Sequence, residues 1–525
     1  MSAPDNRETA RERWVFRPPG LLALALLLAL LFRLPFVPYA VVDWDESTFA
    51  LVGDSVVRGH LPYTELVENK PPLIFLLFAL IQLAFGKSIV AIRLGGVLLV
   101  ALTAWLCALT ARRAFGLRAW AALALLPIVA LSTFGPGSGA LMAEHLAMLL
   151  IAGVLLLLTA PRYRPATGFL LSLCAAAAVL TRTNLAYPAL LLGLAAPFLP
   201  LAPGVRRLPF LAAFATGALL PLAVLLFAYR HDLGTLYGAA VVGPLAYAHG
   251  APLLSPAWFR EAAGLLGDCA RHAMWPLLVG FAAGSALRLA RPVAGSGERR
   301  MVAVLLLGWL ATFVGVAAIG HVFGHYLMQL LPFAAPLFAC AGAGLYRPGR
   351  PLAGLAALLA LLWWGEPLAR KYLHHARRLA DGEPLWADPA TRLVDYLDRA
   401  GMRGQPLFLA DAHIAYWLLD SRVPTRIAHP SNLGRADLTR AVAGEHWSAS
   451  AELDAIFAQH PQFVVLPDDM RLLSLDRAAR HSLDAHLASG YQPVEAIGHL
   501  HLYRLREPPG ASTKTSETAA PVTPP

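Results

Sequence analysis

Long apolar runs follow one another along the first two-thirds of the chain, separated by short polar segments. A helix needs about 20 predominantly apolar residues to cross the hydrocarbon core of a bilayer, and most of these runs approach or reach that length. The pattern predicts eleven membrane-spanning helices, at 20–36, 88–111, 119–134, 142–160, 167–181, 185–200, 208–229, 273–290, 301–320, 326–345 and 351–365. The expected fold class is therefore a polytopic α-helical membrane protein, with residues 1–366 as its transmembrane part.

After Pro367 the composition becomes that of an ordinary soluble protein, and short strand-like and helix-like patterns alternate. The region 367–507 is expected to be a soluble α/β domain. Its predicted elements are a helix at Pro389 to Arg399, a strand at Pro406 to Ala410, a helical segment at His413 to Leu419, a strand at Gln462 to Leu466 and a strand pair near Val494 to Tyr503. The tail 508–525 is rich in Pro, Ser, Thr and Ala, and we expect it to be disordered.

The basic residues between the apolar runs indicate an orientation. If the N-terminus is cytoplasmic, every arginine cluster between the predicted spans falls on the cytoplasmic side, as the positive-inside rule requires. These clusters are Arg112, Arg113 and Arg118; Arg162 and Arg164; Arg206 and Arg207; Arg288, Arg291, Arg299 and Arg300; and Arg347 and Arg350. The first loop at 37–87, the stretch 230–271 and the C-terminal domain are then predicted to lie outside the cytoplasm.

One apolar stretch, Leu73 to Phe85, is too short to be counted as a span. At ~1.5 Å per residue it reaches roughly 20 Å, against a hydrocarbon core of about 30 Å. Counting it would also place all the later arginine clusters outside. We interpret it as a helix that lies at the membrane interface or re-enters from the outer side.

Composition agrees with a membrane protein and argues against a nucleic-acid ligand. The chain is 57% hydrophobic and only 14% charged, and its net charge of +10 comes from basic clusters that mark orientation. The four cysteines fall mostly within apolar runs and have no metal-ligand spacing. No nucleic-acid partner and no cysteine metal site are expected.

Candidate chemistry is concentrated in the first loop, which holds an unusual number of carboxylates. Asp45 and Glu46 follow the first helix directly, at the membrane boundary, where partial desolvation makes a carboxylate a better base. We interpret the more distant acids of this loop as solvated groups without a role. The full set is Asp43, Asp45, Glu46, Asp54, Glu65 and Glu68.

Further polar residues fall at the same predicted leaflet. Glu144 lies near the outer end of the fourth run, where a carboxylate in the membrane usually has a partner or a task. Arg182 alone is equally compatible with snorkelling to lipid headgroups. The remaining groups at this level are His145, Asn184, His321, His325 and Tyr326. Acids beside cations at a membrane surface suit a reaction in which a base activates a nucleophile and cations stabilise a departing lipid phosphate.

Four segments carry a family resemblance: the Asp-Glu pair, "RGHLPYTELVENKPPLIFLLFALIQLAFG", "AIRLGGVLLVALTAWL" and "HVFGHYLMQLLPFAAPL". Together they resemble the bacterial protein-mannosyltransferase-like and aminoarabinose-transferase-like glycosyltransferases of the GT-C fold (glycosyltransferase family 39-like). The resemblance implies that Asp45 is the catalytic base, that Glu46 assists or shapes the site, and that Glu144 shares the base role or orients the acceptor. The groups that it implies at the lipid-phosphate end of the donor are Lys70, Arg182, His325 and Tyr326. Asp43 lies two residues before Asp45, so either acid fits the position of the base.

The predicted function is transfer of a sugar, with inversion, from a polyprenyl-phosphate donor to an extracytoplasmic lipid, envelope glycan or protein, in the inner membrane of a bacterium. No nucleotide-binding loop is visible in the sequence, as expected for a lipid-linked donor. No cofactor is required, although a divalent metal ion would be compatible with the carboxylates. Two alternatives remain: a transporter or flippase of a lipid-linked or anionic substrate, and an assembly protein that binds through its C-terminal domain.

Overall fold

The computed structural model describes residues 16–506, except 136–137, 249, 291–295, 321–322, 346–351 and 445. The predicted disordered tail 508–525 therefore lies outside the described residues. Most of the described chain is α-helical, and the strands occur only after residue 400. Among the described residues, each of the eleven predicted apolar runs contains a helix.

The apolar part of the chain begins with a bundle of helices. Five described helices are long and apolar enough to cross a membrane, and a bent pair with a 108° angle would make a sixth. The protein is accordingly an integral membrane protein, while the number of spans and their orientation remain predictions. The helices are α1 (Pro18–Arg33), α2 (Trp44–Val57), α3 (Leu73–Phe85), α4 (Ile89–Phe115), α5 (Leu125–Leu131), α6 (Ala143–Leu158), α7 (Pro165–Val179), α8 (Ala186–Ala195), α9 (Arg207–Ala228), α10 (Leu233–Tyr237), α11 (Gly243–Tyr247), α12 (Pro256–Arg271), α13 (Trp275–Ala290), α14 (Ser296–Ala317), α15 (Leu331–Leu345) and α16 (Leu352–Ala380).

Small residues let two helix pairs approach closely within the bundle. A Cβ atom at Gly217 of α9 would lie 2.3 Å from the Phe169 carbonyl oxygen of α7, and one at Gly284 of α13 would lie 1.9 Å from the Leu337 carbonyl oxygen of α15. Such contacts leave no room for a side chain, and they are the usual way in which membrane helices pack. Gly217 and Gly284 thus fix the spacing of α7 with α9 and of α13 with α15.

The first loop folds into two packed helices, α2 and α3. The bounds of α3 confirm the helix predicted at Leu73 to Phe85. Gly53 of α2 lies against α3, where an added Cβ would be 2.8 Å from Phe78 Cβ. Gln82 of α3 donates a hydrogen bond to the Ala50 carbonyl oxygen at 2.9 Å, which ties the polar edge of α3 to α2.

The C-terminal region contains a four-stranded sheet of β1 (Leu407–Leu409), β2 (Phe463–Pro467), β3 (Tyr491–Ile497) and β4 (Leu500–Leu505). The strands lie in the order β1-β2-β4-β3. Strand β1 pairs in parallel with β2, and the other two pairings are antiparallel. All the helices and strands predicted in this region are present. The helices are α17 (Pro389–Arg399), α18 (Ile414–Leu418), α19 (Ala436–Ala443), α20 (Ala449–Phe457) and α21 (Arg477–Gly490).

The C-terminal region packs directly on the first loop. The Val67 N–H donates to the Arg426 carbonyl oxygen at 2.7 Å, and Val67 forms an isolated parallel bridge with Ile427. Trp44 Nε1 donates to Asp411 Oδ1 at 3.0 Å. These contacts bring residues of the C-terminal region to the N-terminus of α2, where the candidate acids lie.

Candidate active site

Asp43 and Asp45 are placed by the start of helix α2. Asp43 is the N-cap, and its Oδ1 accepts a hydrogen bond from the Asp45 N–H at 2.9 Å. An aspartate is well suited to this position because its side-chain oxygen satisfies a backbone donor that the helix leaves free. Asp45 therefore lies in the first turn and Asp43 directly before it, where the helix dipole favours negative charge.

Lys70 joins the loop between α2 and α3 to this first turn. Its Nζ lies 3.0 Å from Asp45 Oδ1 and 3.4 Å from Glu68 Oε1. The Tyr63 hydroxyl donates to the Lys70 carbonyl oxygen at 2.7 Å, which fixes the backbone ahead of Pro71. The lysine predicted from the resemblance thus contacts the predicted base.

The two aspartates differ in their electrostatic surroundings. Burial alone would raise the pKa of Asp45, but the charge of Lys70 outweighs it and holds that pKa well below its usual value. For Asp43, burial and then the neighbouring Asp45 charge raise the pKa to about 7. Burial would lower the pKa of Lys70, but Asp45 and Glu68 raise it above its ordinary value. At neutral pH Asp45 and Lys70 form an ion pair, while Asp43 is close to its titration midpoint.

Glu144, Arg182 and Tyr326 form a second charged cluster. Arg182 Nη1 lies 3.1 Å from Glu144 Oε1, and its guanidinium stacks over the Tyr326 ring at 4.2 Å. His325 packs edge-on against Tyr326 with ring centroids 4.7 Å apart. The arginine is therefore held by a carboxylate and an aromatic face, which rules out snorkelling as an account of its position. His321 falls outside the described residues.

Two cavities meet at these residues. A polar cavity of about 680 Å³ is lined by Asp43, Asp45, His325 and polar groups of the C-terminal region. A largely apolar groove of about 750 Å³ runs between α9, α10 and neighbouring helices and includes Arg182. Four residues line both: Asn69, Lys70, Tyr247 and Tyr326. Lys70 and Tyr326 thus lie at the junction of the polar cavity with the apolar groove.

Two of the predicted catalytic acids do not line the polar cavity. Glu46, 4% exposed, pairs with Arg93 and accepts a hydrogen bond from the Leu141 N–H. Glu144 is directed to Arg182. Of the catalytic set, only Asp45 faces the polar cavity, whereas Lys70, Arg182, His325 and Tyr326 each line one or both cavities.

The interpretation of the other loop acids as solvated groups is wrong for two of them. Glu68 is 1% exposed and accepts hydrogen bonds from Lys70 and from Asn432 Nδ2, the latter at 3.3 Å. Asp54 is 6% exposed and pairs with Arg58 and Lys87. Sequence spacing gave no hint that the C-terminal region covers this loop and removes its acids from water.

The C-terminal region contributes site residues that the sequence did not indicate. His429 Nε2 lies 3.5 Å from Asp45 Oδ1, and Asn432 and Arg435 also line the polar cavity. The only sequence signal was a run of polar residues, "HPSNLGR", between apolar segments. Within the described ranges, no group of three or more His, Cys, Asp or Glu is arranged to hold a metal ion.

Comparison with known proteins finds solved structures that are similar to this architecture. No family model matches the chain, and no curated protein matches its sequence. The chain is similar to the crystal structure of ArnT from Cupriavidus metallidurans bound to undecaprenyl phosphate, with a TM-score of 0.62 and 14% identity over 92% of this chain and 97% of that chain. The apo form of the same ArnT gives a TM-score of 0.59 at 14% identity, over 92% of this chain and 98% of that chain. ArnT is an aminoarabinose transferase of the GT-C fold, so the fold expected from the sequence resemblance is confirmed.

Proposed function

We propose that this protein is a membrane glycosyltransferase that moves a sugar from a polyprenyl-phosphate donor to an acceptor, with Asp45 as the general base. The observation that carries the proposal is the junction at Lys70, where the apolar groove opens into the polar cavity that contains Asp45. A polyprenyl-phosphate sugar has the same sequence of parts: an apolar tail, an anionic phosphate and a polar sugar.

The groove suits the tail of the donor. Its lining includes leucines of α9 and α10, such as Leu225 and Leu236, and it ends at Lys70 and Arg182. Apolar side chains bury a prenyl chain favourably, and two cations at the end of the groove attract the phosphate. The similar ArnT structure was solved with undecaprenyl phosphate, which supports a lipid phosphate as the ligand class.

Donor binding changes the environment of the base. In the structure Lys70 is paired with Asp45 Oδ1 at 3.0 Å. When Lys70 turns to the donor phosphate, Asp45 loses its strongest opposing charge, so its pKa rises and it becomes a better proton acceptor. The donor thereby activates the base that its own transfer needs.

The chemical step follows from this arrangement. Asp45 takes the proton from an acceptor hydroxyl, whose oxygen attacks the anomeric carbon opposite the phosphate. The bond from that carbon to the phosphate oxygen breaks, and polyprenyl phosphate leaves with the bonding electrons, stabilised by Lys70 and Arg182. Attack from the opposite face inverts the anomeric configuration. The acceptor is an extracytoplasmic lipid, envelope glycan or protein.

The proposal is tested by incubating the purified protein in vesicles with a polyprenyl-phosphate sugar pool and an envelope extract. A glycosyltransferase releases free polyprenyl phosphate in step with the appearance of glycosylated acceptor, both measured by mass spectrometry. Movement of intact donor across the bilayer without release of polyprenyl phosphate would instead identify a transporter and overturn the proposal.

A further inference from the structure

His429 connects the C-terminal region to the candidate base. It immediately precedes the short helical turn Pro430–Gly434, and its Nε2 lies 3.5 Å from Asp45 Oδ1. Its ring packs edge-on against Trp44, with centroids 5.9 Å apart. An imidazole that is 12% exposed is thus held beside the carboxylate from outside the transmembrane part of the chain.

A second contact orients the ring. Ser431 Oγ lies 2.9 Å from His429 Nδ1, on the side of the ring away from Asp45. Burial lowers the pKa of His429, although the Asp45 charge opposes this, so the ring is neutral near pH 7. We assign the tautomer in which the Ser431 hydroxyl donates to Nδ1, so that the single ring proton is on Nε2, the nitrogen that lies 3.5 Å from Asp45 Oδ1.

We propose that His429 is a positioning residue for Asp45, which holds the carboxylate in place when Lys70 turns to the donor phosphate. This inference rests on the proposed glycosyltransferase function. It assigns the C-terminal region a direct part in the transfer reaction, since the site is incomplete without a residue from it.

The oxygen of Asp45 that His429 contacts supports the positioning role of His429. Lys70 and His429 both contact Asp45 Oδ1. Among the described residues, no hydrogen bond reaches Asp45 Oδ2, so that oxygen is the one available to an acceptor hydroxyl. Once Lys70 has moved, His429 is the remaining side chain at Oδ1, and without it the carboxylate is free to rotate.

Other titratable groups also surround Asp45. Lys70 and Glu68 face it from the loop before α3, His325 and Tyr326 from the segment before α15, and Asp43 from its own helix start. All of these residues belong to the transmembrane part of the chain. Arg182 faces Asp45 from the segment before α8. From the C-terminal region, His413 also faces Asp45 and Arg435 faces His429, but His429 is the side chain that lies within 4 Å of the Asp45 carboxylate.

The test compares three substitutions in the full-length protein. His429→Phe keeps the volume and the packing on Trp44 but removes the N–H donor, whereas His429→Gln keeps a donor that does not titrate. His481→Ala, an exposed residue of α21, is the control for substitution in the C-terminal region. Each is assayed for kcat, for the KM of the polyprenyl-phosphate donor, for the pH profile and for thermal unfolding in detergent.

A positioning role predicts a kcat that is about 10- to 100-fold lower in His429→Phe, with the donor KM within about threefold, since misplacing a reacting group costs this much. His429→Gln should recover most of the loss. In His429→Phe the acidic limb of the pH profile should move to higher pH, because Asp45 loses a group that favours its ionised form.

Two results would overturn the inference. One is wild-type kcat and an unmoved acidic limb in His429→Phe; the other is a loss that His429→Gln does not recover and that parallels a lower unfolding temperature. Asp45→Asn, measured alongside, separates the two claims. If that variant is inactive while His429→Phe is normal, the proposed function stands and only the role of His429 fails; if Asp45→Asn is fully active, the proposed base itself is wrong.

Discussion

Lys70 Nζ lies 3.0 Å from Asp45 Oδ1, across 25 residues of sequence, at the place where a polar cavity and an apolar groove meet. In an empty site the pair neutralises two buried charges. In a site that contains an anionic donor, the donor phosphate competes with Asp45 for Lys70. In the proposed mechanism, the ion pair therefore links donor binding to the basicity of Asp45.

Replacing Lys70 should impair donor binding more than any change to a surface lysine. Lys70→Gln removes a charge-assisted contact to the phosphate worth about 1.5–3 kcal/mol, so the apparent affinity for polyprenyl phosphate should fall at least roughly tenfold. Lys87→Gln is the matched control, because Lys87 also pairs with two carboxylates, Asp54 and Asp420, but does not line either cavity at the junction. Equal affinities of the two variants, measured by lipid-binding titration, would contradict a phosphate role for Lys70.

Asp43 should make the stability of the protein depend on pH, separately from any effect of pH on catalysis. Its pKa is raised to about 7 in the folded protein, against about 3.9 in an unfolded chain. Ionisation therefore opposes folding, so Asp43 lowers the stability progressively as the pH rises from about 4 to about 7. Asp43→Asn keeps the helix cap and should unfold at a higher temperature than the wild type at pH 8, but not at pH 4.

The same substitution distinguishes the two aspartates as bases. If Asp45 is the base, Asp43→Asn retains turnover at neutral pH. Loss of turnover in folded Asp43→Asn, together with an active Asp45→Asn, would transfer the role to Asp43.

A double substitution can separate the ion pair of Arg182 with Glu144 from its proposed role at the donor phosphate. Arg182→Gln leaves Glu144 buried without its partner at 3.1 Å, and breaking a buried pair in this way costs about 3–5 kcal/mol. In Glu144→Gln/Arg182→Gln the uncompensated charge is gone, so most of the stability should return. Use of the polyprenyl-phosphate donor should stay impaired in the double variant. Recovery of donor use along with stability would show that Arg182 is only structural.

The apolar groove predicts a dependence on lipid length. Leu225→Trp fills part of the groove and should raise the KM for a long polyprenyl-phosphate donor by about tenfold or more, while a short-chain analogue is affected less. Leu219→Trp on the exposed side of the same helix, α9, is the control. Identical KM values for the long donor in both variants would argue against the groove as the tail site.

The helices and strands were predictable because apolar runs of helical or strand length are local properties of the sequence, whereas the fold was expected from a family resemblance. Leu73–Phe85 and Pro389–Arg399 have the same bounds in the sequence analysis and in the structure. Asp45 was singled out by its position at the membrane boundary and Lys70 through a family resemblance, whereas their mutual contact depends on how the loop folds. Glu46 shows the limit of this reasoning. It follows Asp45 directly in the sequence, but successive residues of a helix point in different directions, so Glu46 does not face the polar cavity.

The contribution of the C-terminal region could not be predicted. His429 reaches Asp45 across almost 400 residues, through packing of the C-terminal region on the first loop between Val67 and Ile427. No spacing rule connects such positions in a single sequence. Glu68 was misjudged for the same reason, because its burial is produced by chain segments far away in the sequence.

The central claim is that Asp45 acts as the base at the junction of the two cavities. It is tested most directly by single-turnover sugar transfer with donor bound to equal amounts of folded wild-type protein and Asp45→Asn. We predict that Asp45→Asn binds polyprenyl phosphate at least as tightly as the wild type, because Lys70 is freed, but transfers the sugar about 10²- to 10⁴-fold more slowly. Transfer by Asp45→Asn at the wild-type rate would contradict the account.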